Sequence, residues 1–230
     1  MGGVELPPGS PFLDRYWISD DEVADAGELW SSLAEAYPVT GLWPVLVENF
    51  IGSKTAPWYD AEYYNPIDLS TVSNVDPLAV LNELWQEADV TENLRGPIGA
   101  SLESLAPPDN SAPAPLTLSP MPGEYRLLLA AVARPADVIA VTGWTSGGVD
   151  TTQATAVLRS WEERFGWCVF YLGPDAMEIR VGQLSLNEST RLRLAAEVYA
   201  FSPSTMVAEG FGVTQFAQHL LDDGSFYFSW

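Results

Sequence analysis

The chain has 230 residues, 47% of them apolar and nine of them tryptophan, which is enough to form a packed core in one large domain or two small ones. Its longest apolar run, residues 127–133, is far shorter than the roughly 20 residues that a membrane-spanning helix needs. The first residues lack the basic start and apolar stretch of a signal peptide. The single cysteine excludes an internal disulfide or a multi-cysteine metal site. We therefore expect a globular protein in the cytoplasm, or in a particle assembled there.

Negative charge is the strongest compositional feature. The chain carries 31 acidic and 10 basic residues, a net charge of −21. Residues 1–110 hold 19 of the acids and only 3 of the bases. Such a field repels nucleic acid and anionic membranes and attracts basic partners. The composition therefore predicts a basic protein partner, no direct nucleic-acid binding and no membrane binding. The alternative explanations are solubility alone or the general acidity of proteins in a salt-adapted organism.

The first predicted helix lies in "SDDEVADAGELWSSLAEAYP", residues 19–38. Ser19 and Glu22 have the spacing of a capping box, apolar residues recur every three or four positions, and Pro38 should end the helix. The acids fall mostly off the apolar stripe, so we predict an outward anionic surface that binds a partner. Its residues are Asp20, Asp21, Asp25, Glu28 and Glu35.

Two further elements are predicted before the middle of the chain. The segment "GLWPVLVENF" reads as a strand, and Pro44 favours an edge or entry position because proline cannot donate to a sheet ladder. An aromatic, proline-broken loop, "TAPWYDAEYYNPIDL", follows. The segment "VDPLAVLNELWQEA" then predicts a helix with Asp76 at its N-cap and Pro77 at its first position.

A proline-rich connector divides the chain. Between residues 95 and 122 proline, alanine and serine dominate and no period persists, as in an extended linker. We therefore predict an acidic α/β region over residues 1–105, a connector over 106–122 and an α+β domain over 123–230.

The C-terminal half predicts alternating strands and helices. "EYRLLLAAVA" reads as a buried strand and "RPADVIAVTGW" as a short helix. A longer helix follows, capped by Asp150 and ended by Gly166, in which Arg159 and Glu163 have the spacing of an ion pair. "WCVFYL" and "AMEIRV" should form an antiparallel hairpin.

The last predicted elements complete an α+β fold. A capping box at Ser185 and Glu188 starts a helix that ends before Pro203, and a short helix near "TQFAQHLL" and a strand "SFYFSW" follow. We predict a mainly antiparallel sheet with helices packed on it in one compact body.

The sequence offers few groups for catalysis. His219 lies on a predicted helix with no evident nucleophile, and Cys168 lies in an apolar strand, where a thiol is inert. The segment "GSKT" lacks the glycines of a phosphate loop, and no G-x-S-x-G elbow occurs. We therefore predict no catalytic residue, no metal and no cofactor.

The C-terminal half resembles a known family. "ARPADVIAVTGW", "TAVLRSWEERFGWCVFYLG", "LAAEVYAFSPS" and "FYFSW", in that order, are similar to domain-of-unknown-function family 4253, which is found largely in actinobacteria and some of their phages. "TGLWPVL" and "DPLAVLNELW" are similar to segments that often precede the domain. Family members carry a cysteine where this chain has Ser202. The resemblance supports the fold and implies no established activity.

Four functions fit these observations. The first is a non-enzymatic, acidic interaction module that binds a basic partner, as immunity proteins do. The others are a structural component of a phage or other particle, a nucleic-acid mimic that counters host defence, and a carboxylate-dependent hydrolase with two facing acids.

Overall fold

The computed structural model contains one seven-stranded sheet with helices packed against it. It describes residues 3–12, 14–48, 66–88, 92–109, 124–182, 184–203, 212–219 and 224–230. Most of the predicted aromatic loop, residues 55–65, and the proline-rich stretch 110–122 lie outside the described residues. The α+β class is confirmed.

The sheet is mainly antiparallel, as predicted. Its order is β1-β2-β4-β3-β5-β6-β7, and every neighbouring pair is antiparallel except β3 and β5. The strands are β1 (Gly9–Phe12), β2 (Tyr16–Ser19), β3 (Leu42–Glu48), β4 (Tyr125–Ala131), β5 (Cys168–Leu172), β6 (Ala176–Arg180) and β7 (Ser225–Ser229).

Strand β4 joins the two halves of the chain. It lies between β2 and β3, and its Leu127, Leu128 and Leu129 are buried. Strands from the acidic first half and from the C-terminal half therefore share one sheet and one core. The predicted domain boundaries at residues 105 and 122 remain predictions.

The helices lie between the strands along the chain, singly or in runs, and several begin at a residue whose side chain caps the first turn. The helices are α1 (Ala26–Thr40), α2 (Leu69–Val72), α3 (Pro77–Glu87), α4 (Glu92–Arg95), α5 (Val138–Thr142), α6 (Thr151–Phe165), α7 (Glu188–Phe201) and α8 (Val213–His219), with 3₁₀ turns at Gly96–Ile98 and Pro135–Asp137.

Two predicted helix starts are confirmed. Asp76 accepts a hydrogen bond from the Leu78 N–H at the start of α3, at 3.0 Å. Asp150 accepts from the backbone N–H groups of Thr152 and Gln153 at the start of α6, at 2.9 and 3.1 Å. Both aspartates satisfy N–H groups that have no partner within the helix.

The predicted capping box at Ser19 is wrong. Ser19 is fully buried as the last residue of β2, where its hydroxyl accepts from the Leu127 N–H at 3.0 Å and its carbonyl accepts from Arg126 at 2.8 Å and at 2.6 Å. With Ser19 held by β4, the helix starts only at Ala26. Asp25 is its N-cap, in a left-handed conformation (φ 50°) and without a side-chain capping bond.

The two proline predictions on this part of the chain are also wrong. Helix α1 continues through Pro38 to Thr40 and ends at Gly41, whose left-handed backbone (φ 66°) lets its N–H donate to the Tyr37 carbonyl at 2.8 Å. Pro44 lies in the central strand β3, not at an edge. It is tolerated there because pairing with β5 begins only at Leu46.

The predicted capping box of α7 is wrong by two residues. Asn187 caps the helix by accepting from the Thr190 N–H at 3.0 Å. Ser185 is held elsewhere, because its N–H donates to the Asp109 carboxylate at 2.9 Å.

The segment from Gly147 to Gly173 forms the centre of the core. Trp161 of α6 is fully buried and lies 5.1 Å from the ring of Phe201 on α7 and 6.0 Å from Phe228 on β7. Edge-to-face and offset stacking of such rings favours the pairing of helix and sheet. This segment is therefore structural.

Candidate functional site

Exposed acids gather at one end of the sheet. In the observed register the C-terminal ends of β2, β3 and β5 and the N-terminal ends of β4 and β6 meet at that end. An exposed acid occupies or adjoins four of these strand ends. We call Asp20, Glu48, Glu124 and Asp175 the acidic rim.

The five predicted partner-binding acids are all exposed. Asp20 and Asp21 follow β2 directly and lie beside the start of β4, because the Val23 N–H donates to the Tyr125 carbonyl at 2.8 Å. Asp25 and Glu28 continue from there into the first turn of α1. Glu35 lies seven residues beyond Glu28, which is about 10 Å along a helix. The structure therefore brings the first two to the rim and places Glu35 away from it.

A buried arginine lies beneath these acids. The guanidinium of Arg126 is 2% exposed and donates to the Ser19 carbonyl. Burial lowers the pKa of Arg126, and the nearby Asp20 and Asp21 act in the opposite direction. Arg126 thus fixes the strand end from which the two aspartates project.

Three tyrosines from three strands form a row on the sheet. The rings of Tyr125 and Tyr171 are 5.7 Å apart, edge to face, and those of Tyr171 and Tyr227 are 6.4 Å apart and stacked. Cross-strand pairing explains this, because Glu178 on β6 is opposite both Tyr171 and Tyr227. We call Tyr125, Tyr171 and Tyr227 the tyrosine row. Tyr171 is buried, Tyr125 is half-buried and Tyr227 is 39% exposed.

Two carboxylates flank the tyrosine row. The exposed Glu48 is paired in register with Tyr125 and accepts a long hydrogen bond from the Tyr171 hydroxyl, at 3.4 Å. Glu178 is buried beside Arg180, at 3.4 Å. Burial raises the pKa of Glu178, although Arg180 and the Ser225 hydroxyl offset part of this effect.

The nearby carboxylates affect the pKa of the three tyrosine hydroxyls. Burial is the largest cause that raises the pKa of all three hydroxyls, and the negative charge of Glu48 raises each pKa further. The tyrosines are therefore neutral at physiological pH. They present aromatic faces and hydroxyl oxygens in a negative potential, which suits a cation.

Sequence reasoning did not find this row. Its signal was the alternation in "FYFSW" and "AMEIRV", which places Tyr227 and Glu178 on the faces opposite to their apolar neighbours. The predicted hairpin places β6 beside Tyr171, but no local pattern shows that β7 pairs with β6 or that Tyr125 lies near Tyr171.

Cys168 and His219 were the two other side chains considered for catalysis. Cys168 is buried, and desolvation raises its pKa to about 12, so its thiol stays protonated. His219 is exposed at the end of α8. Over the described ranges, no group of three or more His, Cys, Asp or Glu side chains could hold a metal ion. Nor is any described helix long and apolar enough to cross a bilayer.

One groove bears on the hydrolase alternative. It has a volume of about 360 Å³ and is lined by Glu83 and Glu87 of α3 and by Asp150. Asp150 is occupied there as the cap of α6. The groove therefore brings acids of two helices together, but one of them already serves as a helix cap.

The fold and its rim define an acidic α+β protein in which the first half supplies most of the negative charge and the second half carries the tyrosine row. Residues 126–230 match the sequence model of a domain of unknown function, DUF4253, which confirms the resemblance of the C-terminal motifs. No curated protein matches the chain, and no solved structure does. Tyr171 and Tyr227 lie within the matched region, whereas Glu48 and the first acids of the rim lie before it.

Proposed function

We propose that this protein is a non-enzymatic interaction module that binds a basic protein partner in the cytoplasm, or in a particle assembled there, as an immunity protein does. One observation carries the proposal: the exposed acids of separate chain segments converge at one end of a single sheet. Acids that served only solubility would not need to gather at one end of the sheet, whereas a binding surface for a basic partner would.

Most of the described arginines are at least partly buried. Four arginines form ion pairs with acids that are at least partly buried, and Arg126 is buried against a carbonyl group. The four ion pairs join Arg134 to Glu162, Arg159 to Asp137, Arg164 to Glu197 and Arg180 to Glu178. Asp20, Asp21, Asp25 and Glu28 form no ion pair with a described residue.

A surface of this kind acts mainly on association. Complementary charge steers a basic partner and raises its association rate at low salt, and the effect weakens as salt screens the field. Affinity then depends on the groups that the two proteins bury.

The test compares two variants that lose the same charge. The rim variant carries Asp20→Asn, Glu48→Gln, Glu124→Gln and Asp175→Asn, which neutralise the four exposed acids of the rim. The control variant carries Glu83→Gln, Glu87→Gln, Glu103→Gln and Glu188→Gln, which are exposed acids on other elements. Each is immobilised and exposed to lysate of the source cell, and bound proteins are eluted with a salt gradient.

We expect wild type and the control variant to retain one stoichiometric, basic protein that elutes with salt, and the rim variant to lose most of it. Absence of a stoichiometric partner, equal loss in both variants, or binding that salt does not weaken would contradict the proposal.

The nucleic-acid mimic is a second candidate, favoured by the alignment of the rim. Asp20, Glu124 and Glu48 lie at the same end of the adjacent strands β2, β4 and β3, which are about 4.8 Å apart in a sheet. Asp175 lies two strands beyond β3, just before β6. If the captured partner binds nucleic acid, duplex DNA should release it from the rim. A partner that duplex DNA does not displace would exclude this candidate.

A further inference from the structure

We propose that the tyrosine row and Glu48 form a subsite for an arginine side chain of the partner, with the guanidinium over the tyrosine rings and beside the Glu48 carboxylate. This inference rests on the proposed function, because it names the group by which a basic partner is held.

The first argument is the shape of the row. Three rings from β4, β5 and β7 are in contact, at 5.7 and 6.4 Å between centroids. Exposure rises from the buried Tyr171 to Tyr227, which is 39% exposed. A planar cation can therefore reach an aromatic surface whose inner member is rigidly packed.

The second argument is the state of Glu48. This carboxylate is exposed at the end of β3 and accepts from the Tyr171 hydroxyl at 3.4 Å. No arginine or lysine among the described residues is within ion-pair distance of it. Glu48 therefore offers an acceptor at the edge of an aromatic surface, and its charge raises the pKa of all three tyrosines.

The third argument is that the fold already contains the same arrangement. The guanidinium of Arg180 lies 3.8 Å from the ring centroid of Phe170 and 3.4 Å from the Glu178 carboxylate. Arg180 is thus held by an aromatic face together with an acid, next to the tyrosine row. The proposed subsite repeats this chemistry on the accessible side.

The chemistry favours arginine over lysine. A guanidinium is planar, stacks on aromatic faces and is more weakly hydrated than an ammonium, so it loses less on leaving water. Cation–π contacts at exposed sites contribute modestly, and they strengthen as the cation is desolvated.

The test uses an acetylated, amidated hexaarginine peptide as the probe. It is titrated into the full chain with isotope-labelled tyrosine rings and followed by NMR at about 100 mM salt, where long-range attraction is screened within about 10 Å. Hexalysine and hexacitrulline, the neutral isostere, are the comparison peptides. The variants are Tyr227→Ala, Tyr227→Phe, Glu48→Gln and the control Glu87→Gln, which removes the same charge from α3.

We expect hexaarginine to shift the ring resonances of Tyr125 and Tyr227 saturably and hexacitrulline to leave them unchanged. Tyr227→Ala and Glu48→Gln should each weaken binding about fivefold, which corresponds to about 1 kcal/mol. Tyr227→Phe and Glu87→Gln should bind within about twofold of wild type, since a phenylalanine face also attracts a cation. Because Glu48 is exposed, Glu48→Gln should fold normally, and its affinity for hexaarginine still tests the subsite if Tyr227→Ala does not fold.

The outcomes separate the subsite from the proposed function. If hexaarginine binds in a salt-dependent manner but Glu48→Gln and Tyr227→Ala bind like wild type, the subsite is excluded and the acidic module stands. Equal binding of hexalysine contradicts the arginine preference, and equal shifts with hexacitrulline contradict recognition of charge. No binding of either cationic peptide anywhere on the protein contradicts both proposals.

Discussion

Arg164 of α6 and Glu197 of α7 form a two-point ion pair, with Nη2 2.6 Å from Oε2 and Nη1 3.0 Å from Oε1. The Glu197 side chain is only 1% exposed, and the same carboxylate accepts from the Trp161 indole at 2.9 Å and from the Ala106 N–H at 2.5 Å. Arg164 also donates to the Ala106 carbonyl at 2.8 Å. One acid therefore ties α6, α7 and the start of the predicted connector together, and its oxygens are occupied by structural bonds.

Replacing Glu197 should destabilise the protein strongly. Glu197→Ala leaves the Arg164 guanidinium and the Trp161 and Ala106 N–H groups without their buried acceptor, and breaking a buried pair in this way costs about 3–5 kcal/mol. Glu197→Gln keeps an acceptor oxygen and should cost less. Urea denaturation followed by tryptophan fluorescence measures both, and a loss below about 1 kcal/mol for Glu197→Ala would contradict this role.

Two adjacent glycines should respond differently to the same substitution. A Cβ on Gly148 would overlap the Trp230 indole and lie 2.6 Å from its Cγ, whereas a Cβ on Gly147 would meet no atom within 4 Å. Trp230 has little freedom to move, because it donates to the Phe201 carbonyl at 3.1 Å and packs edge to face on Trp144.

We therefore expect Gly148→Ala to cost about 1–3 kcal/mol, as overpacking does, and Gly147→Ala to be nearly neutral. Thermal unfolding of the two variants side by side measures the difference. Equal melting temperatures would show that Trp230 is not fixed in this position.

Glu178 should make stability depend on pH in a defined direction. Burial raises its pKa in the folded state, whereas an unfolded glutamate titrates at about 4.3. Between those two values the folded state binds more protons, so its stability falls as pH rises.

The unfolding free energy of wild type minus that of Glu178→Gln should therefore be highest near pH 4 and decrease as pH rises through the folded pKa. Urea denaturation at intervals from about pH 4 to 8 measures this difference. A difference that increases with pH would mean that the pair with Arg180, and not burial, dominates the titration.

Cys168 should be unreactive in the folded protein. Burial raises its pKa to about 12, and the thiolate is the reactive form of the side chain. The disulfide-exchange reagent DTNB should therefore label native protein at pH 8 only as fast as it unfolds, and label denatured protein with one equivalent at once. Labelling of the native state at the rate of a free cysteine would contradict the burial.

Local sequence signals were reliable where a helix supplies its own ends. Asp76, Asp150 and Gly166 were each predicted from spacing alone, and each has the predicted capping role. The hairpin of β5 and β6 was likewise predicted from the turn between two apolar runs, and it is antiparallel.

The same signals failed where a distant segment competes for the residue. Ser19 has the spacing of a cap, yet Leu127 and Arg126 take its hydroxyl and carbonyl. Arg159 and Glu163 have the spacing of an ion pair, yet Arg159 lies 2.6 Å from Asp137 and Glu163 lies 2.8 Å from Arg134. Arg159 pairs with Asp137 because that carboxylate is almost fully buried, and a charge-assisted bond there is stronger than an exposed pair four residues away on the helix.

By itself the sequence determined the α+β class, most of its helices and strands, the excess of negative charge and the inert setting of its one cysteine. These follow from periodicity, capping and composition, which act over a few residues or over the whole chain. Only the tertiary structure decided that β4 lies between β2 and β3, that Pro44 lies in a central strand, and that Tyr125, Tyr171 and Tyr227 form a row beside Glu48. Strand order depends on which apolar faces bury each other across more than a hundred residues, and no local pattern contains that choice.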